Sequence, residues 1–219
     1  MEKQQLQLEH QYRASNLNNP NPPLIIMLHG YGSDENDLFS FASELPSKYA
    51  IISLKAPYGL NPHGNAWYAI HFDNLDGKWS DDNQAIKSRE MVVSTINEII
   101  KKYPVDKNNI TLLGFSQGTI LGLSIALSYP EKIKNLIGLS GYVNIGILKE
   151  DYQENDFKNL NIYSSHGTLD QVIPLEWAIK TKKFLSNIVS NFTYNEFPVG
   201  HGVSPQNFYD FKNWLEKHS

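Results

Sequence analysis

Short apolar runs alternate with helical hydrophobic patterns along the chain, and no other feature of the sequence constrains the fold more strongly. A continuous apolar run suits a strand that is covered on both faces of a parallel sheet. On this basis strands are predicted at Leu24–Leu28, Ala50–Leu54, Ile110–Leu113, Leu136–Leu139, Ile162–Ser165 and Phe192–Phe197. Helices are predicted between and after them, at Asp34–Leu45, Asp82–Tyr103, Gln117–Tyr129, Pro174–Ile188 and Pro205–Lys217.

The order of these elements indicates the architecture. Alternating strands and helices imply right-handed crossovers and a mostly parallel sheet with helices on both faces. Ahead of them, Leu6–Tyr12 alternates apolar and polar residues, which predicts an edge strand, and the Asn- and Pro-rich stretch Ser15–Pro23 indicates a turn. We therefore predict a single α/β domain over residues 1–219 with a sheet of about seven strands, in which residues 1–21 form the edge strand and turn.

Composition narrows the classes of function. Hydrophobic residues make up 41% of the chain and charged residues 19%, a balance that permits a buried core and argues against disorder. The net charge of −4 and the absence of Lys or Arg runs argue against a nucleic-acid partner. The chain has no cysteine, which excludes disulfides, thiolate metal sites and thiol catalysis. No integral membrane segment or signal-peptide pattern is found, so a cytoplasmic location is expected.

Two long segments interrupt the alternation of strands and helices, at residues 56–81 and Tyr142–Lys158. Loops of this length in a compact domain are usually functional or mobile. The first is rich in aromatic residues, and we expect it to lie over the site. Two roles are open for it: a lid on the substrate, or a contact with a neighbouring subunit.

The pentapeptide Gly114-Phe115-Ser116-Gln117-Gly118 lies between a predicted strand and an apolar predicted helix. This is the context of a nucleophile elbow, in which a sharp turn exposes a serine and small residues relieve the crowding around it. The alternative is a glycine-flanked turn with an idle serine. Because the following helix is apolar nearly all round, it would hold Ser116 on a rigid core, which favours the elbow.

A serine hydroxyl needs a base to attack, and the base needs a carboxylate to orient it. Asp170 and His201 each follow the carboxyl end of a predicted strand, in the order serine, acid, histidine that such elbows use. His166 is the rival base, but it precedes the acid. We therefore predict Ser116, Asp170 and His201 as a catalytic triad and His166 as a residue that structures the Asp170 loop.

The loop after the first predicted core strand, His29-Gly30-Tyr31-Gly32, lets the backbone approach a substrate closely. With the N-terminus of the helix after Ser116, it predicts an oxyanion hole formed by the backbone N–H groups of Tyr31 and Gln117. We expect His29 to hold the loop rather than to transfer protons. A simple turn is the weaker alternative.

Five segments together resemble the phospholipase/carboxylesterase family of α/β-hydrolases, which includes bacterial carboxylesterases and acyl-protein thioesterases. They are LHGYGSDEND at 28–37, AWY at 66–68, GFSQG at 114–118, HGTLDQVIPLEWA at 166–178 and GHGVSP at 200–205. The resemblance covers residues 22–217 and implies the α/β-hydrolase fold without a large cap domain, the same triad and oxyanion donors, no cofactor, and a homodimer.

By the same resemblance Trp67 would line the substrate pocket, with Leu169 and Val172 as further candidates. A core position or a subunit interface is an equal alternative for Trp67. The N-terminal strand and the Tyr142–Lys158 segment are not matched to the family.

The sequence thus predicts a serine hydrolase that cleaves a small-molecule carboxylic ester or thioester. The first alternative is a lysophospholipase or acyl-protein thioesterase with a long acyl pocket, which the motifs do not separate from a small-ester esterase. The second is a binding protein on the same fold that has lost catalysis, which an intact triad argues against. No metal is expected, because the histidines and carboxylates lack ligand spacing such as HExxH.

Overall fold

The computed structural model describes residues 3–16, 19–73 and 77–218. The helices are α1 (Asp82–Lys102), α2 (Gln117–Ser128), α3 (Leu175–Ile188) and α4 (Pro205–Lys217). The strands are β1 (His10–Arg13), β2 (Leu24–Leu28), β3 (Ala50–Leu54), β4 (Tyr58–Gly59), β5 (Asn65–Ala66), β6 (Ile70–Asp73), β7 (Gly77–Ser80), β8 (Ile110–Phe115), β9 (Asn135–Leu139), β10 (Asn161–Gly167) and β11 (Asn191–Phe197). None of the helices in these ranges is both long and apolar enough to span a bilayer.

Seven of the strands form one twisted layer in the order β1-β3-β2-β8-β9-β10-β11. Strand β1 pairs with β3 in the antiparallel sense, and the other neighbours in the sheet are parallel. This confirms the predicted fold class and the number of strands. The six apolar runs of the sequence are all strands of this sheet.

The core lies on both faces of the sheet. In β2, Ile26 packs in the cluster that contains α1 and α2, whereas Ile25 and Met27 pack in the cluster that contains α4. Every residue of α2 is buried, as its apolar composition predicts. The helix is therefore fixed against the centre of the sheet.

The helix predicted at Asp34–Leu45 is wrong, because the structure has only a 3-10 helix at Leu38–Ser43. Local side-chain bonds compete with the first turn: Asp34 Oδ1 accepts from the Asn36 N–H at 2.8 Å. At the other end, Pro46 disfavours a helical backbone in the residue before it.

The predicted edge strand starts later than expected, at His10 rather than Leu6. The backbone before it bonds to side chains of α1 and its C-cap instead of to a strand. The Gln4 N–H donates to Tyr103 Oη at 2.8 Å, and the Gln7 N–H donates to Glu98 Oε2 at 3.0 Å. These contacts draw the first residues away from the sheet edge.

The two long segments contain short regular elements. In the first segment β4 pairs with β5 and β6 pairs with β7, both in the antiparallel sense. Two of the aromatic residues of the first segment are Phe72 and Trp79, and their side chains lie outside what the structure describes. The Tyr142–Lys158 segment contains 3-10 helices at Ile145–Ile147 and Tyr152–Glu154.

Candidate active site

Ser116 lies at the sharp turn from β8 into α2, with φ 53° and ψ −117°. A left-handed φ is costly for a residue with a side chain, and such strain is concentrated at functional sites. The turn requires glycine on either side: a Cβ on Gly118 would lie 1.9 Å from Leu28 O, and one on Gly114 would lie 2.5 Å from Gly118 O. The elbow predicted from the sequence is present.

His201 lies in the loop after β11 and connects the serine to the acid. Its Nε2 is 2.8 Å from Ser116 Oγ, and its Nδ1 is 2.7 Å from Asp170 Oδ2. The three side chains come from the carboxyl ends of β8, β10 and β11, where side chains from neighbouring parallel strands converge. In this line of hydrogen bonds His201 can take the hydroxyl proton while the carboxylate stabilises the resulting cation.

The side chain of Asp170 is fully shielded from solvent. Its Oδ1 accepts from the N–H groups of Val172 and Ile173 at 2.8 and 2.9 Å. Burial raises the pKa of this carboxyl, but the hydrogen bonds from His201 and from the two N–H groups outweigh it and hold the pKa below its ordinary value. Asp170 is therefore ionised at neutral pH.

His166 is buried and lies beside Asp170. Its Nε2 donates to Ile173 O at 2.9 Å and is 3.5 Å from Asp170 Oδ2. It contacts the loop that carries the acid, as predicted.

Two backbone N–H groups lie beside the serine. Within the described ranges, the N–H groups of Tyr31 and Gln117 have no protein acceptor, and Gln117 is the first residue of α2, where the helix leaves its N–H groups unpaired. The loop that carries Tyr31 is held by His29, whose Nδ1 donates to Gly30 O at 2.7 Å and whose Nε2 accepts from the Ala56 N–H at 3.0 Å. Burial lowers the pKa of His29, which keeps the imidazole neutral for these roles.

The side chain of Gln117 has a role that sequence reasoning missed. Its Oε1 accepts from the Trp67 N–H at 2.8 Å, and its Nε2 donates to Tyr68 O at 2.8 Å. The elbow therefore holds the middle of the 56–81 segment in place. Spacing along the chain gives no signal for such a contact, because the two segments meet only in the folded protein.

A cavity of about 250 Å³ opens onto Ser116 and His201. Of the three predicted pocket residues, Val172 lines it, and Leu169 and Trp67 do not appear in its wall. Leu169 is 63% exposed, whereas Trp67 is completely buried and its Nε1 donates to His29 O at 2.9 Å. The structure therefore favours the core position that was the alternative for Trp67.

The cavity wall is mostly apolar, and much of its apolar surface comes from residues to which the sequence analysis gave no role in the site: Tyr68, Ile70, Ile120, Tyr142, Ile173 and Trp177. One signal could have found Tyr142, since it follows the carboxyl end of β9 on the same edge of the sheet as the serine. In the part of the chain that the structure describes, no group of three or more His, Asp or Glu side chains is arranged to hold a metal ion.

The fold and the geometry of the site are together those of a serine hydrolase with the α/β-hydrolase fold. The chain belongs to the Phospholipase/Carboxylesterase family, whose family model matches residues 13–219.

Relatives of known name agree with this assignment. The chain is 27% identical over 210 residues to a protein of Oryza sativa subsp. japonica named as a probable carboxylesterase, covering 90% of this chain and 78% of that one. It is 28% identical over 211 residues to acyl-protein thioesterase 1 of Saccharomyces cerevisiae, covering 88% and 91%. The crystal structure of the Bacillus cereus carboxylesterase superposes with a TM-score of 0.84 at 20% identity, covering 97% of this chain and 95% of that one.

Proposed function

We propose that the protein hydrolyses carboxylic esters or thioesters through an acyl-enzyme on Ser116. The observation that carries this proposal is the continuous line of hydrogen bonds from Ser116 Oγ through His201 to Asp170, with both distances below 3 Å. Asp170 and Ser116 are 31 and 85 residues away from His201 in the sequence. In the fold the three groups meet in the geometry that nucleophilic catalysis needs.

In the first half of the reaction, Ser116 Oγ attacks the acyl carbonyl carbon while His201 Nε2 takes its proton. The carbonyl electron pair moves to oxygen, and the N–H groups of Tyr31 and Gln117 donate to this oxyanion. The tetrahedral intermediate then collapses, the bond to the leaving group breaks, and His201 returns the proton to the departing alcohol or thiol.

In the second half, water replaces the leaving group. His201 takes a proton from the water as the water oxygen attacks the acyl-enzyme, and the proton passes to Ser116 Oγ when the carboxylic acid leaves. Asp170 stays ionised throughout and holds the Nδ1–H of His201, which leaves Nε2 free to accept a proton.

A non-catalytic binding protein on this fold is disfavoured by the same distances, because a binding site gives no reason to keep serine, imidazole and carboxylate in line. The homodimer and the cytoplasmic location stay predictions.

The test is hydrolysis of p-nitrophenyl acyl esters of increasing chain length, with the matching acyl thioesters in parallel. Ser116→Ala is expected to lower kcat by about 10⁴–10⁶-fold while the protein stays folded. Ser124→Ala is the matched control, because Ser124 is buried like Ser116 but lies within α2, where its Oγ donates to Leu121 O at 2.8 Å. Equal activity in wild type and Ser116→Ala would contradict the proposal. The ratio of activity on esters to activity on thioesters shows which leaving group the enzyme prefers.

A further inference from the structure

Two cavities share part of their lining, and one of them opens onto Ser116. The catalytic cavity has a volume of about 250 Å³, and a second cavity of about 540 Å³ lies between the start of α1 and α3. Ser80, Tyr142 and Trp177 line both cavities. Two of these three are aromatic, so the wall that the described residues place between the cavities is mainly ring surface.

The two rings contact each other edge to face. The centroids of Tyr142 and Trp177 are 4.8 Å apart and the ring planes are inclined at 73°. This is a favourable geometry for an aromatic pair. The rings come from different parts of the chain, one from the loop after β9 and the other from the first turn of α3.

Hydrogen bonds hold the loop that carries Tyr142 on both sides. On one side the Val143 N–H donates to Thr181 Oγ1 at 2.9 Å, and Thr181 lies one helical turn beyond Trp177 on the same face of α3. On the other side Asn144 Nδ2 donates to Asp82 Oδ1 at 2.9 Å, at the start of α1. The loop is thus fixed to both helices, and the aromatic pair is fixed with it.

We propose that the Tyr142–Trp177 pair is a partition that confines the acyl chain of the substrate to the catalytic cavity, so that the enzyme prefers short acyl chains. This rests on the proposed acyl-enzyme at Ser116. Pockets that enclose drug-sized ligands have volumes of roughly 300–1,000 Å³. The catalytic cavity alone falls below that range, and the two cavities joined would fall within it.

The experiment measures kcat/KM for p-nitrophenyl esters from acetate to palmitate. In the wild type, kcat/KM is expected to peak at a short chain and to fall once the chain outgrows the catalytic cavity. In Trp177→Ala the optimum moves to longer chains, because Val143, Ile145 and Phe184 offer apolar surface beyond the wall. Each further buried methylene raises kcat/KM by up to about fourfold, the fold-change that corresponds to about 0.8 kcal/mol.

Two further variants show whether a changed chain-length profile comes from loss of the partition or from a general effect of mutating α3. Trp177→Phe keeps a ring against Tyr142 and is expected to keep the chain-length profile of the wild type. Ile179→Ala removes an exposed apolar side chain from the same helix, and Ile179 lines neither cavity in the described residues, so its profile is also expected to match the wild type. Circular dichroism checks folding, and Trp177→Leu replaces Trp177→Ala if that variant does not fold.

Three results would overturn the partition. One is a wild type that hydrolyses palmitate and butyrate esters equally well, the second is a Trp177→Ala profile that matches the wild type, and the third is an equal loss at every chain length. Labelling of Ser116 by an alkyl p-nitrophenyl phosphonate is measured in each variant. If Ser116 is labelled but the profiles do not differ, the partition alone fails. If no variant is labelled and none hydrolyses any ester, the proposed function fails and the partition with it.

Discussion

At the scale of single residues, Asp170 combines two demands that oppose each other. Its side chain is removed from solvent, which disfavours the charged form, yet orienting His201 requires that charge. Hydrogen bonds from the N–H groups of Val172 and Ile173 and from His201 resolve the conflict in favour of the carboxylate. The acid is thus stabilised by its own loop as well as by the base.

Replacing this carboxylate by an amide tests its role. In Asp170→Asn the side chain keeps its size, but the amide can no longer stabilise the cation that forms on His201. We expect kcat to fall by about 10⁴-fold, with Ser116 still in place. Ester hydrolysis by the variant measures this. Activity within tenfold of the wild type would contradict the assignment of Asp170 as the orienting acid.

The same variant gives a prediction on the pH dependence of stability. A carboxyl whose pKa is lower in the folded state stabilises the protein above its ordinary pKa of about 4, and this stabilisation is lost as the pH falls through the folded-state value. At pH 7, Asp170→Asn should lower the free energy of unfolding by about 1–3 kcal/mol. Urea unfolding should show that the difference in free energy of unfolding between the wild type and Asp170→Asn is smaller near pH 3 than at pH 7. An equal difference at both pH values would contradict the prediction.

The roles of individual residues can be predicted from the sequence where the reaction requires one residue type at one place. The serine, the acid, the base and the glycines of the elbow follow from motif and chain order. The cavity wall does not, because Tyr68, Tyr142 and Trp177 are ordinary aromatic residues until the loops bring them together. For Trp67 the sequence predicted a place in the pocket wall, but the residue lies in the core. Nothing in its motif distinguishes these two positions.

At the scale of elements, the strand–turn–helix unit of β8 and α2 is the part most strongly fixed by packing. The Cβ of an alanine at position 118 would lie 1.9 Å from Leu28 O, which belongs to the neighbouring strand β2. Strand backbone in the middle of a sheet cannot yield by the required amount.

Gly118→Ala is therefore expected to lower the free energy of unfolding by about 3 kcal/mol or more. The control is Gly59→Ala, where the added Cβ would meet nothing within 4 Å; its effect should stay within about 0.5 kcal/mol. Urea unfolding measures both. A Gly118→Ala protein as stable as the Gly59→Ala protein would contradict the close packing of α2 on β2.

The error in the segment before β3 belongs to this scale as well. Helical periodicity in Asp34–Leu45 is real, but the carbonyl groups at its end bond elsewhere. The Arg13 guanidinium of the edge strand donates to the carbonyl oxygens of Ala42 and Leu45, and also to Tyr49 O at 2.9 Å. In an α-helix that ended at Leu45 these last carbonyl groups would also lack an intrahelical partner, so the contact fixes the end of the segment, whereas the local bonds at its start oppose the helix. A long-range contact of this kind is not visible in a window of neighbouring residues.

At the scale of the whole molecule, one sheet carries all three members of the candidate triad. Ser116, Asp170 and His201 are positioned by three strands of that sheet, so the site depends on a single core with two faces. Alternating apolar runs and parallel-sheet rules sufficed to predict this architecture.

The single domain that we predict for residues 1–219 implies one cooperative unfolding transition. Trp67 is buried in one core cluster and Trp214 in the other, so tryptophan fluorescence reports on both faces of the sheet. Fluorescence and far-ultraviolet circular dichroism should therefore give the same midpoint in urea. Two separated transitions would show that part of the chain unfolds on its own.

The central claim is that Ser116 is the nucleophile, and covalent trapping tests it most directly. An alkyl p-nitrophenyl phosphonate reacts as an ester but leaves an adduct on the nucleophile that water does not readily clear. Intact-mass measurement followed by peptide mapping should find one phosphonyl group per chain, located on Ser116, and no adduct in Ser116→Ala. An adduct on another residue, or ester hydrolysis by a protein that the phosphonate neither labels nor inhibits, would contradict the account.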